Sequence, residues 1–302
     1  MDIQKEGNKS IVRLHNNFVE AVYSLSLEAK KILLSVILHL NDSNKIEIHR
    51  TDLMKEVGVD PRKVKNLKDV IKELMTKIIE IRDLDNSEKW SLYQLLMATK
   101  YENGVLKTSV YPELLPYFKE AQERLFTRFN IQNIKPLTSV HAVRIYELVK
   151  QFDDTGWREI DLDDFKRMLH LENKYKFVAD LRKRVLEVAK KQINANTDIN
   201  IDYELIKQGR RYTKIRFTVS KNRQRVERKE NKKLIESGNF TELEAKLNAQ
   251  YRNKTIQDKN GLTWYVKHIK ALNDKEVEIT LTDLTEERKM IRNTNELQKM
   301  FD

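Results

Sequence analysis

The constraint that most narrows the fold of this chain is an order of elements that is written twice. Residues 26–40, SLEAKKILLSVILHL, have the apolar density of a long, mostly buried helix, with Ser26 placed to cap it. The alternating Ile46-Glu47-Ile48 follows as a strand. Thr51 or Asp52 then caps a short helix that turns Leu53, Met54 and Val57 inward. Gly58 supplies a positive-φ turn, and Asp60-Pro61 opens a third helix running to about Ile79. Val64, Leu67, Ile71, Leu74 and Ile78 share one face of that helix; Arg62, Lys65, Asn66, Asp69 and Lys72 share the other. From Ile79 to Val110 apolar and polar residues alternate, broken at Asp85-Asn86 and Asn103-Gly104, which reads as strands joined by hairpin turns.

The same order then returns. Ser139 to Phe152 is a long helix and Trp157 to Leu162 a short strand. Asp161 or Asp163 caps a helix holding Phe165, Met168 and Leu169, and Leu171-Glu172-Asn173 is a turn. Lys174 to Ile193 is a second long helix. Ile199 to Glu204 and Tyr212 to Ser220 are paired strands with Gly209 in their turn. Leu53 and Phe165 are equivalent in this scheme, as are Ile48 and Ile160, and both pairs are 112 positions apart. The side chains barely match, so the repeat is one of element order. Helix, strand, helix, turn, helix and two-stranded ribbon is the order of a winged helix. The fold class expected is therefore α+β: two tandem winged-helix domains, residues 1–128 and 129–225, with a small accessory region at 226–302. In that last region 234–251 reads as helix, 262–269 and 276–281 as strands, and the tail from Glu286 as helix.

Charge points to the partner. Lys207 to Arg225, KQGRRYTKIRFTVSKNRQR, carries eight Lys or Arg and no Asp or Glu. Arg210, Arg211 and Lys214 sit at the tip of the ribbon with no carboxylate nearby in sequence, suiting a wing that lies on phosphates. In the preceding helix, at 100° per residue, Phe177, Val178, Leu181, Val185, Val188, Ala189 and Ile193 fall on a core side. Lys176, Asp180, Lys183, Arg184, Glu187, Lys190 and Lys191 fall on the other. The N-terminal part of such a helix enters the major groove, where Lys or Arg reads guanine O6 and N7. Lys176, Lys183 and Arg184 are placed for bases; Lys190 and Lys191, further along, for phosphate; Lys174 is a further DNA-binding candidate. A basic stripe alone is more often a solvated face, and the ribbon is what tips the balance. Arg62 and Lys65 are the equivalent candidates in the first repeat. Tyr203, Tyr212 and Phe217 alternate along the ribbon, which favours sheet packing over base stacking.

Composition agrees and excludes. Net charge is +11 and pI about 9.4, which favours nucleic acid as partner. No stretch reaches the roughly 18 apolar residues of a membrane span, and MDIQKEGNKS is no signal peptide, so a cytoplasmic location is expected. With no cysteine, disulfides and cysteine-ligated zinc are ruled out. The phosphate-cradling G-x-x-x-x-G-K-[ST] and G-x-G-x-x-G spacings are absent, and no cofactor is implied. The six histidines are scattered, with no His-x-His pair. A nicking initiator of the rolling-circle kind would need such a pair beside a nucleophilic tyrosine, so no catalytic residue is assigned. A single-domain transcriptional regulator would use the same reading surface, but does not account for the duplicated order.

Several stretches resemble a known family, the iteron-binding plasmid replication initiators. They are Asn16-Asn17-Phe18-Val19-Glu20-Ala21 with Ser24-Leu25-Ser26-Leu27-Glu28, and Ser139-Val140-His141-Ala142-Val143-Arg144-Ile145-Tyr146-Glu147-Leu148. So does Tyr175 to Ile193, with Phe177, Asp180-Leu181, Arg184-Val185-Leu186, Ala189 and Ile193-Asn194, continued by Thr197-Asp198-Ile199. The similarity covers about residues 11–220. Val188 stands where many members have proline. The resemblance implies a non-enzymatic initiator that binds direct repeats of origin double-stranded DNA as a monomer. It also implies dimers that repress their own gene at an inverted repeat, and recruitment of the host initiator and helicase.

Overall fold

The structure, a computed structural model, describes residues 10–58, 67–83, 88–119, 125–222, 240–257, 262–273, 276–283, 285–294 and 296–301. The chain divides into two compact units, residues 1–222 and 223–302.

In the first unit, β1 (Ile11–His15) runs antiparallel to β7 (Phe126–Asn130), with Ile11 opposite Asn130. A division at 128/129 therefore falls inside β7. After the single turn of α1 (Asn16–Val19), Ser26 caps α2 (Leu27–Leu38), its Oγ accepting the Ala29 N–H at 3.2 Å. β2 (Ile46–His49) leads into α3 (Arg50–Val57). The cap of α3 is His49 rather than Thr51 or Asp52: its Nδ1 faces the Thr51 N–H, so the helix starts earlier than the Ser/Thr/Asp preference suggests. Gly58 ends α3 at φ 65°, as a left-handed C-terminal cap requires. Asp60, Pro61, Arg62, Val64 and Lys65 lie outside the described residues. α4 (Leu67–Thr76) buries Ile71 and Leu74. Ile78 does not continue that helical face. It starts β3 (Ile78–Arg82), where strand alternation buries Ile79 and Ile81 and leaves Ile78 exposed. β3 pairs with β4 (Trp90–Gln94); β5 (Leu96–Glu102), β6 (Val105–Val110) and β2 form a second sheet, order β2-β6-β5. The β5–β6 turn is Asn103-Gly104, both at positive φ, as a tight hairpin demands. The short α5 (Pro116–Lys119) and α6 (Ile131–Ile134) flank β7.

The second repeat follows: α7 (Val140–Lys150), capped by Ser139; β8 (Trp157–Asp161); and α8 (Leu162–Met168), for which Asp161 takes the cap position. The expected helix over 174–193 begins later, as α9 (Val178–Leu181). It widens into a π turn at Arg182–Leu186 and resumes as α10 (Glu187–Asn196). β9 (Ile199–Gln208) and β10 (Arg211–Lys221) complete a sheet of order β8-β10-β9.

One continuous apolar core runs from Val12 to Val219 through both repeats. At its centre is a buried ionic cluster. Glu147 on α7 lies 2.8 Å from Lys30 Nζ of α2 and 3.0 Å from Arg144 Nη1. Arg144 also donates to Tyr23 Oη (2.8 Å) and to the Ala21 carbonyl (2.9 Å), and Lys30 donates to the same Tyr23 Oη at 2.7 Å. Nearby, Arg158 of β8 donates to Glu20 at 2.6 Å and to the Leu148 carbonyl at 2.8 Å.

The second unit is an antiparallel sheet of order β11-β12-β13-β14: β11 (Thr255–Gln257), β12 (Thr263–Ala271), β13 (Glu276–Thr282) and β14 (Glu287–Asn293). α11 (Phe240–Tyr251) packs on β12, and Leu243, Leu247, Trp264, Val266, Ile269, Val277, Ile279 and Leu281 form its core. The tail from Glu286 is not helical at first. Residues 287–293 pair along β13, Met290 opposite Ile279, and only α12 (Leu297–Phe301) is helix. Ladder pairing overrides the helix preference of Glu, Arg, Lys and Met there.

The buried cluster gives a stability prediction. Glu147→Ala leaves Lys30 and Arg144 as buried cations without their carboxylate, and should cost about 3–5 kcal/mol in urea unfolding. A loss under about 1 kcal/mol would show that the cations find other partners.

Candidate nucleic-acid interface

The candidate interface is built on the second repeat. Behind α9 and α10, Leu181, Val185, Leu186, Ala189 and Ile193 are buried, and Val178 and Val188 are half-buried. Phe177 is not in this set: it precedes the helix and is 73 % exposed, against the sequence expectation. The π turn explains the remainder. Its wider winding lets consecutive Val185 and Leu186 both enter the core, which leaves Arg182, Lys183 and Arg184 together on the outside. Arg184 is only loosely tied to Asp180, at 3.9 Å. Lys174 and Lys176 are exposed, but in the loop before the helix. Lys174 lies near His141, whose pKa is lowered by burial and then by that positive charge.

Lys190 and Lys191 lie on α10. Lys191 is exposed, whereas Lys190 donates to Asp202 of β9 at 2.7 Å. That hydrogen bond, with one from the Tyr203 N–H, holds the Asp202 carboxyl below its usual pKa.

β8 pairs only with Lys214–Thr218 of β10, so the β9–β10 hairpin projects beyond it as a two-stranded wing. Gly209, at φ 62°, makes the turn, and Arg210 and Arg211 stand exposed at the tip with no ion pair among the described residues. Lys214 differs from expectation. A carboxylate distant in sequence, Glu159 of β8, accepts from Lys214 Nζ at 2.9 Å and from Arg216 Nη2 at 2.7 Å. Register brings Glu159 directly opposite Arg216. The two hydrogen bonds lower the Glu159 pKa, and the same contact raises that of Lys214.

Phe217 is buried and packs on Phe165, while Tyr212 is exposed beneath Lys207, whose Nζ lies 4.8 Å from the ring centre. Tyr203 is half-buried; its hydroxyl donates to Glu187 and its pKa is pushed up to about 12, by burial first and then by that carboxylate. Arg182, hydrogen-bonded to Tyr203 and 3.8 Å from Glu187, is a cation that helical-wheel reasoning passed over because a regular wheel cannot register the π turn. Arg62 and Lys65 lie outside the described residues. Among the described residues no group of His, Asp or Glu is placed to hold a metal, and no helix is long and apolar enough to cross a membrane.

Two helix–strand–helix–ribbon modules on one core define a tandem winged-helix protein. Residues 11–150 match the family described as Initiator Replication protein, WH1, and residues 161–219 match Initiator Rep protein, WH2. The chain belongs to this initiator replication protein family. A replication initiation protein of Escherichia coli is 30 % identical over 158 residues, 51 % of this chain and 48 % of that protein, so the chain spans about half the length of this relative. An uncharacterized 27.6 kDa E. coli protein is 24 % identical over 224 residues, covering 67 % of this chain and 93 % of its own. Among solved structures, the Pi initiator protein in complex with iteron DNA superposes with a TM-score of 0.58 at 22 % identity, over 70 % of this chain and 98 % of that one.

The Tyr203 environment is directly testable. In NMR of ring-labelled tyrosine, assigned with Tyr203→Phe, Tyr203 should titrate near 12, and Glu187→Gln should move it down by part of the shift, the part due to burial remaining. An unchanged value in Glu187→Gln would mean that the Tyr203–Glu187 contact is not populated.

Proposed function

We propose that this protein is a sequence-specific double-stranded DNA-binding initiator of plasmid replication. It binds direct repeats at an origin and represses its own gene through an inverted repeat. The observation that carries the reading is the adjacency of Arg182, Lys183 and Arg184 on a rigidly backed helix, in the same module as a wing tipped by Arg210 and Arg211. Helix in the major groove and wing on the backbone is how a winged helix divides base reading from phosphate binding. Family membership, and the iteron DNA bound by the structurally similar Pi initiator, support it.

In this reading residues 129–225 are the main DNA reader and 1–128 a second DNA-binding or dimerising module. Lys183 and Arg184 read bases; Lys174, Lys176, Lys190, Lys191, Arg210, Arg211 and Lys214 hold phosphates, with Arg62 and Lys65 serving the first module. Lys190 and Lys214 must exchange Asp202 and Glu159 for phosphate, so they add less than Arg210 and Arg211. Homodimers, the host initiator and the host helicase are the protein partners, and the chemistry is binding in the cytoplasm rather than catalysis.

Footprinting of the DNA flanking the encoding gene tests the core of this. Two modules reading successive major grooves, roughly 10 base pairs apart, should protect about 20 base pairs. Protection of about half that length would remove the first module from the DNA. Arg184→Ala should weaken binding to the protected sequence by about 1–3 kcal/mol, and to random DNA by less. Equal losses would make Arg184 a phosphate contact. Arg210→Ala with Arg211→Ala should weaken all DNA alike and reduce the salt slope by roughly 2, about one per phosphate contact. An unchanged slope would turn the wing away from DNA.

A further inference from the structure

Phe177 is the most exposed large apolar side chain among the described residues. Scattered surface apolar residues are ordinary, but three features set this one apart. First, its exposure is built into the backbone. Tyr175 takes a left-handed conformation, φ 55°, which a non-glycine residue seldom adopts. Tyr175 is the ring packed against the core. Phe177, two residues on in extended backbone, faces outward. An aromatic residue was thus available to the core, and the chain spends strained backbone to place the other in solvent. Second, Phe177 occupies the N-cap position of α9, the end of a reading helix that enters the groove. Its side chain cannot cap a helix, and no cap hydrogen bond is made there. Third, Lys174, Lys176 and Ala179, beside it in sequence, are exposed, with Lys183 further along the helix, against the nearby carboxylates Glu172 and Asp180. An apolar tip flanked in sequence by lysines suits a polyanion that offers one apolar group.

The major groove offers one such group. Among the base edges displayed there, only thymine carries an apolar substituent, its C5-methyl, and Phe and Ala are side chains that contact it. The geometry points to Phe177 as a specificity-determining residue that reads thymine methyls at one end of the recognition site, with Ala179 beside it. This rests on the DNA-binding reading above and adds a base identity to it.

The test uses the full-length protein and a duplex carrying the footprinted sequence, with each thymine replaced singly by deoxyuridine, which removes only the methyl. At one or two positions the wild-type protein should lose about fourfold in affinity, the worth of one buried carbon group. At those positions Phe177→Ala should bind the thymine and uracil duplexes equally, while Phe177→Met, which keeps an apolar tip, retains most of the discrimination. Both variants should melt with the wild type, since Phe177 is 73 % exposed. Wild-type protein that binds DNA but is indifferent to every uracil overturns the assignment, as does Phe177→Ala that keeps the wild-type pattern. A shift in DNA-free self-association on Phe177→Ala, with base discrimination intact, would reassign the ring to a protein contact. Failure of the wild type to bind any duplex would remove the DNA-binding reading itself, an outcome distinct from the others.

Discussion

The contact between the two repeats turns on three charges buried together. Glu147 is fully enclosed, and its negative charge is tolerable only because Lys30 and Arg144 close on it. The two cations share Tyr23 as a second partner, and Arg144 reaches on to the Ala21 carbonyl. α2, the Ala21–Tyr23 segment and α7 are therefore joined by a network in which every charge meets an opposite one, although Arg144 Nε is buried without a hydrogen-bond partner. An apolar cluster of similar volume would seal the same space with no desolvation penalty. What it would lack is direction: a guanidinium fork and a carboxylate meet in few geometries, so the cluster fixes how the first repeat sits on the second.

In the proposed reading, with both modules on one duplex, that fixed relation matters because the modules work together only at a set spacing. Double-helical DNA presents major grooves at a constant pitch, and a joint that slid would put one module out of phase whenever the other was docked. The same economy governs the reading module. Asp202 and Glu159 neutralise Lys190, Lys214 and Arg216 around the sheet, whereas Arg182 and Arg184 hold only long ion pairs, 3.8 Å to Glu187 and 3.9 Å to Asp180, and Lys183, Arg210 and Arg211 make none among the described residues. Positive potential is thereby concentrated at the helix and the wing tip instead of being spread over the domain.

Much of this was legible in the sequence. Ser26 before an apolar helix, Gly58 after one, Asn103-Gly104 between alternating runs and Gly209 at the ribbon turn each carry a local physical signal, and each stands where that signal put it. What failed was non-local or irregular. Glu159 neutralises Lys214 from more than fifty residues away, through strand register alone. The π turn breaks the 100° rule, which displaced Arg182 and Leu186 on the wheel, and the αL backbone at Tyr175 turned Phe177 out of the core. Residues 287–293 have helix-forming side chains and became a strand because β13 offered a ladder. Single residues can announce caps and turns; they cannot announce a partner that arrives from elsewhere in the chain.

The pairing of β1 with β7 sets an order of events during synthesis. Ile11 waits for Asn130, and Lys30 waits for Glu147. At about 5–20 residues per second that interval is on the order of ten seconds, in which Val12 and Leu14 have no strand to cover them. The first module is thus completed only as the opening helix of the second leaves the ribosome. Closing this fold requires the chain to return to its own beginning, and until it does the strand edge at residues 11–15 is unpaired with β7, open to a chaperone or a neighbouring chain.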